Sequence, residues 1–236
     1  MKIFFIGTVK FSKEMLTKLI QMEAEVVGVL SMKTSKLNSD YADLSLVCSS
    51  KNITLNYTDN VNSHESIEFI KSTKPDIIFC FGWSRILKEE ILNLAPMGVL
   101  GYHPARLPSN RGRHPLIWAI TLGLKKTAST FFFMDKGADS GDVLSQKEVA
   151  IEDKDNAESL YQKIIDTSKI QLEEFLPKLI SKKFKKHKQE TTNVNYWRKR
   201  SFEDGCIDWR MSAESIHNLV RALSRPYDGA HFVYAD

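Results

Sequence analysis

A histidine and an aspartate in two separate turns are the residues of this sequence best suited to acid–base chemistry. His103 follows a short apolar run, and Asp139 lies in the acidic, glycine-containing segment 135–142. If the two turns meet, the carboxylate can fix the tautomer of the imidazole and raise its proton affinity. Each residue alone also fits a structural role, the histidine at a strand end and the aspartate in a solvated turn. Together they define a candidate proton-transfer site.

A group of cations near two turns is suited to phosphate binding. Gly7 and Thr8 precede a helical pattern, so their amides and the ammonium of Lys10 can face an anion at a helix N-terminus. Arg111 and Arg113 lie in a basic turn across the expected site, and arginine forms charge-assisted hydrogen bonds with phosphate. An ordinary turn with surface cations explains the same residues equally well.

Several kinds of chemistry are excluded by what the sequence lacks. The spaced glycines of a dinucleotide fingerprint and a Walker-type phosphate loop are missing, so NAD and ATP are not expected. No serine or cysteine stands in the strand–turn–helix context of a covalent acyl-transfer nucleophile. The three cysteines, Cys48, Cys80 and Cys206, are widely spaced, which predicts neither a disulfide framework nor a zinc site. We expect no bound metal.

Strand and helix patterns alternate over the first part of the chain and must position these turns. Short apolar runs predict strands at 2–7, 25–31, 53–57, 75–82 and 98–103. Helical spacing fills the intervals at 11–20, 40–50, 61–73 and 86–94. Runs that are apolar on both faces are typical of a parallel sheet between helices. We predict an α/β fold with a Rossmann-like, doubly wound, mostly parallel sheet, whose ligands bind beyond the carboxyl ends of the strands, where His103 lies.

A hairpin and a long helix are predicted next. Strands are expected at 127–134 and 143–151, and a helix follows from about 156 to 181. Proline inside a helix removes a backbone hydrogen bond and clashes with the preceding turn, so Pro177 should end or kink this helix near Leu176.

The end of the chain predicts a small second unit. Ser212 is a good N-cap for the last helical pattern, 212–224. Five lysines between 182 and 188 favour a solvated linker at a domain boundary over an RNA-binding patch. We therefore place the catalytic domain at 1–185 and a small C-terminal α+β appendage at 186–236.

Composition limits the partners of this chain. Its 236 residues are 42% hydrophobic and 26% charged, which excludes disorder of the whole chain. The net charge is +4, and without the five lysines it would be 4 − 5 = −1, so nucleic acid is not an expected partner. The first apolar run is too short for a secretion signal, and no apolar stretch is long enough to span a membrane. We expect a soluble cytoplasmic protein without a membrane partner.

Two blocks of the sequence resemble the signature of the folate-dependent formyltransferases. The first is residues 101–120, GYHPARLPSNRGRHPLIWAI, and the second is residues 134–144, MDKGADSGDVL. The resemblance extends from Met1 to about Tyr234. Its C-terminal segments, 207–209, 216–223 and 226–232, are similar to the appended domain of the tRNA and nucleotide-sugar enzymes of this family. The short appendage and the sequence NRGRHP are most similar to the nucleotide-sugar N-formyltransferases.

This resemblance implies transfer of a formyl group from 10-formyltetrahydrofolate to the primary amine of a nucleotide-linked amino sugar. The sugar would be a dTDP- or UDP-linked amino-dideoxyhexose for a surface polysaccharide such as O-antigen, and the enzyme a homodimer. In that reaction His103 would donate to the developing oxyanion, while Asp139 would orient the imidazole and receive the amine proton. The residues implied to bind folate are Trp83, Arg85, Ile86, Leu87, Asp135, Gly137 and Ala138. The residues implied to bind the nucleotide sugar are Gly7, Thr8, Lys10, Ser12, Tyr102, Asn110, Arg111 and Arg113.

The sequence departs from the family pattern at Gly101, where the family has a catalytic asparagine two residues before the histidine. A substitute oxyanion donor is then required, and a backbone amide, a water, Tyr102 and Asn110 are the alternatives. Two other functions stay open: formyl transfer to methionyl-tRNA, favoured by the lysine run, and non-catalytic folate or nucleotide-sugar binding, favoured by Gly101. The resemblance also leads us to expect a C-terminal domain that is truncated at Asp236.

Overall fold

The computed structural model describes residues 1–34 and 39–234. The last two residues of the expected C-terminal domain, 235 and 236, lie outside the described residues. The strands are β1 Ile3–Ile6, β2 Val26–Ser31, β3 Leu55–Tyr57, β4 Ile77–Cys80, β5 Val99–His103, β6 Arg111–Gly112, β7 Lys126–Phe133, β8 Val143–Ala150 and β9 Tyr196–Trp197. The helices are α1 Lys10–Gln21, α2 Ser45–Ser49, α3 His64–Thr73, α4 Glu89–Leu92, α5 Pro115–Thr121, α6 Ala157–Ile180 and α7 Ala213–Ala222, with a 3-10 turn at Glu203–Gly205.

One mixed sheet organises the molecule, with the strand order β3-β2-β1-β4-β5-β7-β8. Strands β1 to β5 pair in parallel, whereas β7 pairs antiparallel with both β5 and β8. The two central strands β1 and β4 are buried at every position, as apolar residues on both faces require. The chain order reverses direction between β1 and β4, which is the switch point of a doubly wound sheet. The predicted fold class is confirmed.

Helices cover both faces of this sheet. On one face α1 and α6 pack in a single apolar cluster with residues such as Phe79 and Leu100. On the other face α3 and α4 pack in a second cluster with residues such as Ile78. Because side chains alternate along a strand, β5 directs Tyr102 toward the α1 and α6 layer and His103 toward the α3 and α4 layer.

The long helix α6 does not end at Pro177. It continues to Ile180, which agrees with the predicted range 156–181, whereas the end that Pro177 was expected to cause near Leu176 is wrong. The proline lies in the last helical turn, where Leu176 and Leu179 are almost completely buried and hold that turn against the core. The Ser181 amide donates to the Pro177 carbonyl at 3.0 Å and completes the helix end. Burial of the last turn therefore outweighs the hydrogen bond that the proline removes.

The lysine run begins a segment that packs along the sheet edge, and residues 182–197 are called the strap below. Phe184 stacks on Phe133 with a centroid distance of 5.8 Å. His187 and Val143 exchange two backbone hydrogen bonds of 2.8 Å. At its end, β9 pairs in parallel with β6. The five lysines of this segment are exposed, as expected of a solvated segment, whereas Phe184 and His187 contact the sheet.

The C-terminal helix shares a core with the rest of the chain. Ser212 caps α7 as predicted, since its hydroxyl accepts from the Ser215 amide at 3.1 Å. Leu219 and Ala222 of α7 belong to one apolar cluster with Leu116 of α5. The boundary at 185 stays a prediction. Within residues 1–34 and 39–234, no helix combines the length and apolar character needed to cross a membrane.

Candidate active site

The structure brings His103 and Asp139 together. Imidazole Nδ1 lies 3.6 Å from the Asp139 Oδ2 atom. The histidine side chain is 6% exposed and the aspartate side chain 21%. The pair therefore lies just below the protein surface, with the aspartate partly open to solvent. Strand β5 positions the histidine at its carboxyl end, and the 135–142 loop between β7 and β8 carries the aspartate. A gap of 3.6 Å is too long for a direct hydrogen bond, and it leaves the facing atoms available to a reacting group.

The two ring nitrogens of His103 have different partners. Nε2 lies 2.7 Å from the Asn110 carbonyl oxygen, which can only accept a hydrogen bond. Nε2 therefore carries a hydrogen, and the neutral ring presents an unprotonated Nδ1 to Asp139. A proton added at Nδ1 produces a cationic ring beside the carboxylate. Asn110 adopts the left-handed conformation at φ 62°, which asparagine tolerates better than most residues.

Backbone contacts hold the Asp139 carboxylate in place. The Gly112 amide donates to Asp139 Oδ2 at 2.9 Å. Within the loop, Asp135 accepts hydrogen bonds from the Gly137 amide at 2.9 Å and from the Ser140 hydroxyl. Asp135 thus closes the turn that presents Asp139, a structural contribution in addition to the folate contact implied by the resemblance.

Sequence reasoning missed the residues of the strap that support the site. Gln189 is buried beside the 135–142 loop, and Asn195 accepts from the Asn110 amide at 2.7 Å. Tyr196 contributes its hydroxyl to Arg111 at 3.0 Å. These contacts join residues about 80 positions apart, so no local spacing pattern indicates them. A family alignment is the kind of signal that could have found them.

Arg111 is turned into the protein. Its side chain is buried, and its guanidinium donates to the Gln189 side-chain oxygen at 2.7 Å and to the Tyr196 hydroxyl. The expected phosphate contact by Arg111 stays a prediction, and it would compete with these two internal hydrogen bonds; the buried Nε of Arg111 has no partner among the described residues. Arg113 is exposed instead and donates to the Ser84 carbonyl at 3.0 Å. It is the better placed of the two arginines for a phosphate.

The start of α1 is also occupied by internal contacts. The Thr8 and Val9 amides both donate to the Ser12 hydroxyl, at 3.0 and 3.1 Å. The next two amides, of Lys10 and Phe11, donate to the Asp40 carbonyl and to the Tyr161 hydroxyl. These contacts would compete with the expected phosphate cradle of Gly7, Thr8, Lys10 and Ser12, which stays a prediction. Four successive amides from Thr8 onward have partners within the protein.

Charge at the start of α1 is balanced locally as well. Tyr161 donates to the Asp40 carboxylate at 2.6 Å, and the Lys10 ammonium lies 5.9 Å from the Tyr161 ring. Burial raises the pKa of Asp40, and the Tyr161 hydrogen bond and the Lys10 charge partly offset that rise. An ionised Asp40 would repel a phosphate at this position.

The segment expected to bind folate lies beside the loop that carries Asp139. Asn62 accepts from the Lys88 amide at 2.7 Å and donates to the Ile86 carbonyl at 2.9 Å, which holds the backbone of 85–88. The Ile86 side chain is 85% exposed, whereas Leu87 is buried. An ion pair of 2.9 Å between Lys136 and Glu89 connects the 135–142 loop to this segment. Trp83, Arg85, Gly137 and Ala138 lie on the same two segments.

The surroundings of Gly101 leave little space for an asparagine side chain at this position. A Cβ at this position would lie 2.7 Å from the Met134 Cγ atom. Tyr102 points to the opposite face, where its hydroxyl donates to Ser129 and accepts from Ser168, and burial raises its pKa. The Asn110 side-chain oxygen accepts from Asn195 at 3.2 Å. Tyr102 therefore lies on the face of the sheet opposite His103 and is no longer a candidate for the substitute oxyanion donor. A backbone amide, a water and the Asn110 amide nitrogen remain as candidates.

The two buried cysteines are unreactive, and the described residues contain no cluster suited to a metal ion. Burial raises the pKa of Cys48 to about 11 and of Cys80 to about 12, so both thiols are protonated at neutral pH. In residues 1–34 and 39–234, no cluster of three or more His, Cys, Asp or Glu side chains is arranged to hold a metal ion.

Comparison with known proteins gives this geometry a family context. The formyl transferase family model matches residues 1–176, and the formyl transferase C-terminal domain model matches residues 199–236. The chain is 39% identical over 174 residues to the bifunctional polymyxin resistance protein ArnA of Wigglesworthia glossinidia brevipalpis. That match covers 74% of this chain and 27% of the relative, so this chain corresponds to about a quarter of the relative's length.

Two solved structures share the fold. A 4-N formyltransferase from Francisella tularensis superposes with a TM-score of 0.78 at 19% identity, covering 99% of this chain and 92% of that chain. An N-formyltransferase from Helicobacter canadensis, in complex with folinic acid and dTDP-3-aminofucose, gives a TM-score of 0.75 at 18% identity, covering 94% and 80%. The family match over most of the chain, together with the fold, establishes that this chain belongs to the formyl transferase family.

Proposed function

We propose that this chain transfers a formyl group from 10-formyltetrahydrofolate to the primary amine of a nucleotide-linked amino sugar. The observation that carries the proposal is the buried His103, held 3.6 Å from the Asp139 carboxylate inside a formyl transferase domain. The sugar is proposed to be a dTDP- or UDP-linked amino-dideoxyhexose. A relative of the same fold binds folinic acid and dTDP-3-aminofucose, which supports this substrate class.

The residues beside the pair fit a folate. Trp83 is half-buried, and its indole nitrogen has no hydrogen-bond partner among the described residues. The exposed Ile86 offers apolar surface, and the 135–142 loop offers backbone groups to a flat heterocycle. Trp83, Arg85, Ile86, Leu87, Asp135, Gly137 and Ala138 are the residues proposed to hold the donor. The bound donor would supply the formyl carbon.

The protein's role in the reaction is to move protons and to stabilise charge. Formyl transfer forms one C–N bond to the sugar amine and breaks one C–N bond in the donor, and the formyl oxygen is negative in between. Since Nε2 of His103 keeps its hydrogen for Asn110, only Nδ1 can serve this oxygen. With a proton on Nδ1 the ring is an imidazolium, which the Asp139 carboxylate stabilises, and it can donate that proton to the oxyanion. The oxygen returns the proton to Nδ1 when the intermediate collapses to the formamide.

Asp139 has capacity left for the amine proton. Its Oδ2 atom accepts one hydrogen bond from Gly112, whereas a carboxylate offers about four acceptor positions. The carboxylate can therefore take the proton that the amine loses when it attacks. That proton passes to the leaving nitrogen of the donor when the C–N bond breaks, so the pair returns to its starting state.

A turnover assay tests the function directly. The full chain is incubated with 10-formyltetrahydrofolate and a panel of dTDP- and UDP-linked amino sugars, with the matching hydroxyl sugars as controls. Methionyl-tRNA is included as a further acceptor. Formylation of an amino sugar only is the expected result. Formylation of the tRNA only, or binding of folate and sugar nucleotide without turnover, would each contradict the proposal.

Oligomeric state and biological role are part of the same proposal. We propose a homodimer that acts in surface-polysaccharide synthesis, such as that of O-antigen, because the sequence resembles the nucleotide-sugar enzymes. Sedimentation of the full chain at micromolar concentration checks the dimer. A monomer under those conditions would contradict that part without affecting the proposed reaction.

A further inference from the structure

Gln189 of the strap forms hydrogen bonds with three groups around the catalytic pair. Its Nε2 atom donates to the Asp139 carbonyl at 2.8 Å and to the Gly141 carbonyl at 2.7 Å. Its Oε1 atom accepts from the Arg111 guanidinium at 2.7 Å. The side chain is buried, so water does not compete freely for these contacts. One uncharged side chain thus joins the aspartate loop to strand β6.

The chemistry of the partners decides how the Gln189 amide is oriented. The two carbonyl oxygens can only accept hydrogen bonds, and a guanidinium can only donate. Exchange of the amide nitrogen and oxygen would therefore remove all three hydrogen bonds. An amide with two hydrogens and one oxygen is required here, and a carboxylate of the same length satisfies only the Arg111 side.

The hydrogen bonds of Gln189 hold the main chain around Asp139, whereas the Gly112 amide holds its side chain. Asp139 adopts φ 53°, a left-handed conformation that aspartate tolerates better than most residues and that persists where the surrounding structure holds it. At the next loop position but one, a Cβ on Gly141 would overlap the Phe133 carbonyl, so this backbone has little room to shift.

Strand β6 links Gln189 to the histidine as well. Arg111, the partner of Gln189, is adjacent to Gly112, and it follows Asn110, whose carbonyl fixes His103. The three consecutive residues 110–112 therefore contact the histidine, the glutamine and the aspartate carboxylate in turn. A shift of the aspartate loop relative to β6 would change the distance between the two catalytic side chains.

We propose that Gln189 is a positioning residue for formyl transfer, which sets the Asp139 carboxylate relative to His103 without contacting substrate. The kinetic part of this inference rests on the proposed function. Loss of the two donated hydrogen bonds should reduce kcat and leave both KM values nearly unchanged, since the residue touches neither substrate.

Two variants separate a positioning role from a structural one. Gln189→Met removes all three hydrogen bonds at nearly constant side-chain length, and Gln189→Glu keeps a strong contact to Arg111 but loses both donations to the aspartate loop. We expect each to reduce kcat by about tenfold or more, with KM for donor and acceptor within about threefold, because small misplacements of catalytic groups have effects of this size. Wild-type kcat in Gln189→Glu would mean that the residue only satisfies Arg111 and would overturn the proposal.

Gln171 provides a matched control. It is also a buried glutamine, and its Nε2 atom donates to the Ser129 carbonyl at 3.1 Å and to the Ser145 hydroxyl at 2.9 Å, on α6 and away from the pair. Gln171→Met should keep kcat within about threefold of wild type, although its stability cost is of the same kind. An equal loss of kcat in both methionine variants would contradict a specific role for Gln189.

Amide hydrogen exchange gives a measurement that does not depend on turnover. The Gly112 amide reports the position of the Asp139 carboxylate, while the Arg111 and Arg113 amides, bonded to the Asn195 and Trp197 carbonyls, report the pairing of β6 with β9. We expect exchange at Gly112 to accelerate about tenfold in both Gln189 variants, with the two flanking amides unchanged. Unchanged exchange at Gly112 overturns the proposal. Absence of formyl transfer by the wild type would reject the proposed function instead, and the exchange result would still decide the role of Gln189.

Discussion

Two polar turns of this protein differ in how their hydrogen-bonding groups are used. At the start of α1, Ser12 accepts from two amides and donates to the Phe81 carbonyl at 2.5 Å, all within a buried environment. In the turn of His103, Nε2 is engaged with Asn110 while Nδ1 faces a carboxylate across 3.6 Å. The amides of the first turn all have partners inside the protein and stabilise the fold, while the buried Thr8 hydroxyl has no partner among the described residues. The second retains facing atoms without a direct bond between them, and it is therefore the turn that can act on a ligand.

The comparison teaches that residue type does not separate a binding turn from a structural one. Both turns follow central parallel strands and both carry hydroxyl or charged side chains. A buried polar group that has its partners contributes stability, and it would lose that contribution if it turned to a ligand. Function is expected where a group is held by one partner and leaves a second position available.

The largest expected effect is on turnover at the second turn. His103→Ala and Asp139→Asn should each reduce kcat by about a hundredfold or more with little change in nucleotide-sugar affinity, because proton transfer acts on the transition state. Steady-state kinetics with titration calorimetry measures both quantities. Asp142→Asn, the same change in the same loop, is the control and should stay within about threefold of wild type. Near-normal turnover of either active-site variant would remove the assignment of the pair.

The next effect is on stability at the first turn. Ser12→Ala leaves two buried amides and one carbonyl without their partner, so the free energy of unfolding should fall by about 2–3 kcal/mol. Nucleotide-sugar affinity of the folded variant should not change. Urea denaturation and calorimetry test the two statements, with the exposed Ser49→Ala as a control that costs less than about 0.5 kcal/mol. If Ser12→Ala weakened sugar-nucleotide binding and left stability intact, the two turns would not differ as we describe.

Gly101 tests whether the second turn has room for the family asparagine. Gly101→Asn should lower kcat by about tenfold, since the new Cβ lies 2.7 Å from Met134 Cγ and overpacking costs about 1–3 kcal/mol. The double variant Gly101→Asn with Met134→Ala should recover part of the loss. Steady-state kinetics with the same donor and acceptor decides this. A rate gain of tenfold or more in Gly101→Asn would mean that no substitute donor exists.

The smallest effects compare cations of the two turns. Arg113→Ala should weaken nucleotide-sugar binding by about fivefold, a value reduced from that of a buried contact because the guanidinium is exposed to solvent. Lys10→Ala should change the affinity by less than about twofold, since Asp40 and Tyr161 adjoin its charge. Calorimetry at low and moderate salt measures both. A stronger effect at Lys10 than at Arg113 would place the phosphates at α1 after all.

Much of the fold was predictable because its signals are local. The apolar runs of β1, β4 and β5 and the cap at Ser212 involve residues a few positions apart, and the structure has them as predicted. The range of α6 was predicted closely, but its expected end near Leu176 was wrong, because burial of Leu179 is a tertiary contribution that no rule for Pro177 includes. The contacts of the strap were missed for a similar reason, since charge along 182–188 says nothing about where Phe184 packs.

By itself the sequence determined the α/β class, the place of His103 at a strand end, and the two signature blocks that identify the family. Only the tertiary structure decided which donors remain for a ligand. In the folded protein the α1 amides and the Arg111 guanidinium form internal hydrogen bonds. Nε2 of His103 is bonded to the Asn110 carbonyl, so Nδ1 is the ring nitrogen without a direct hydrogen bond. The physical reason is distance along the chain: the contacts of Asp139 with Gly112 and Gln189 join residues 27 and 50 positions apart, and that of Arg111 with Gln189 joins residues 78 apart. Hydrogen bonds of that separation exist only once the sheet and the strap are assembled, so no pattern of neighbouring residues specifies them.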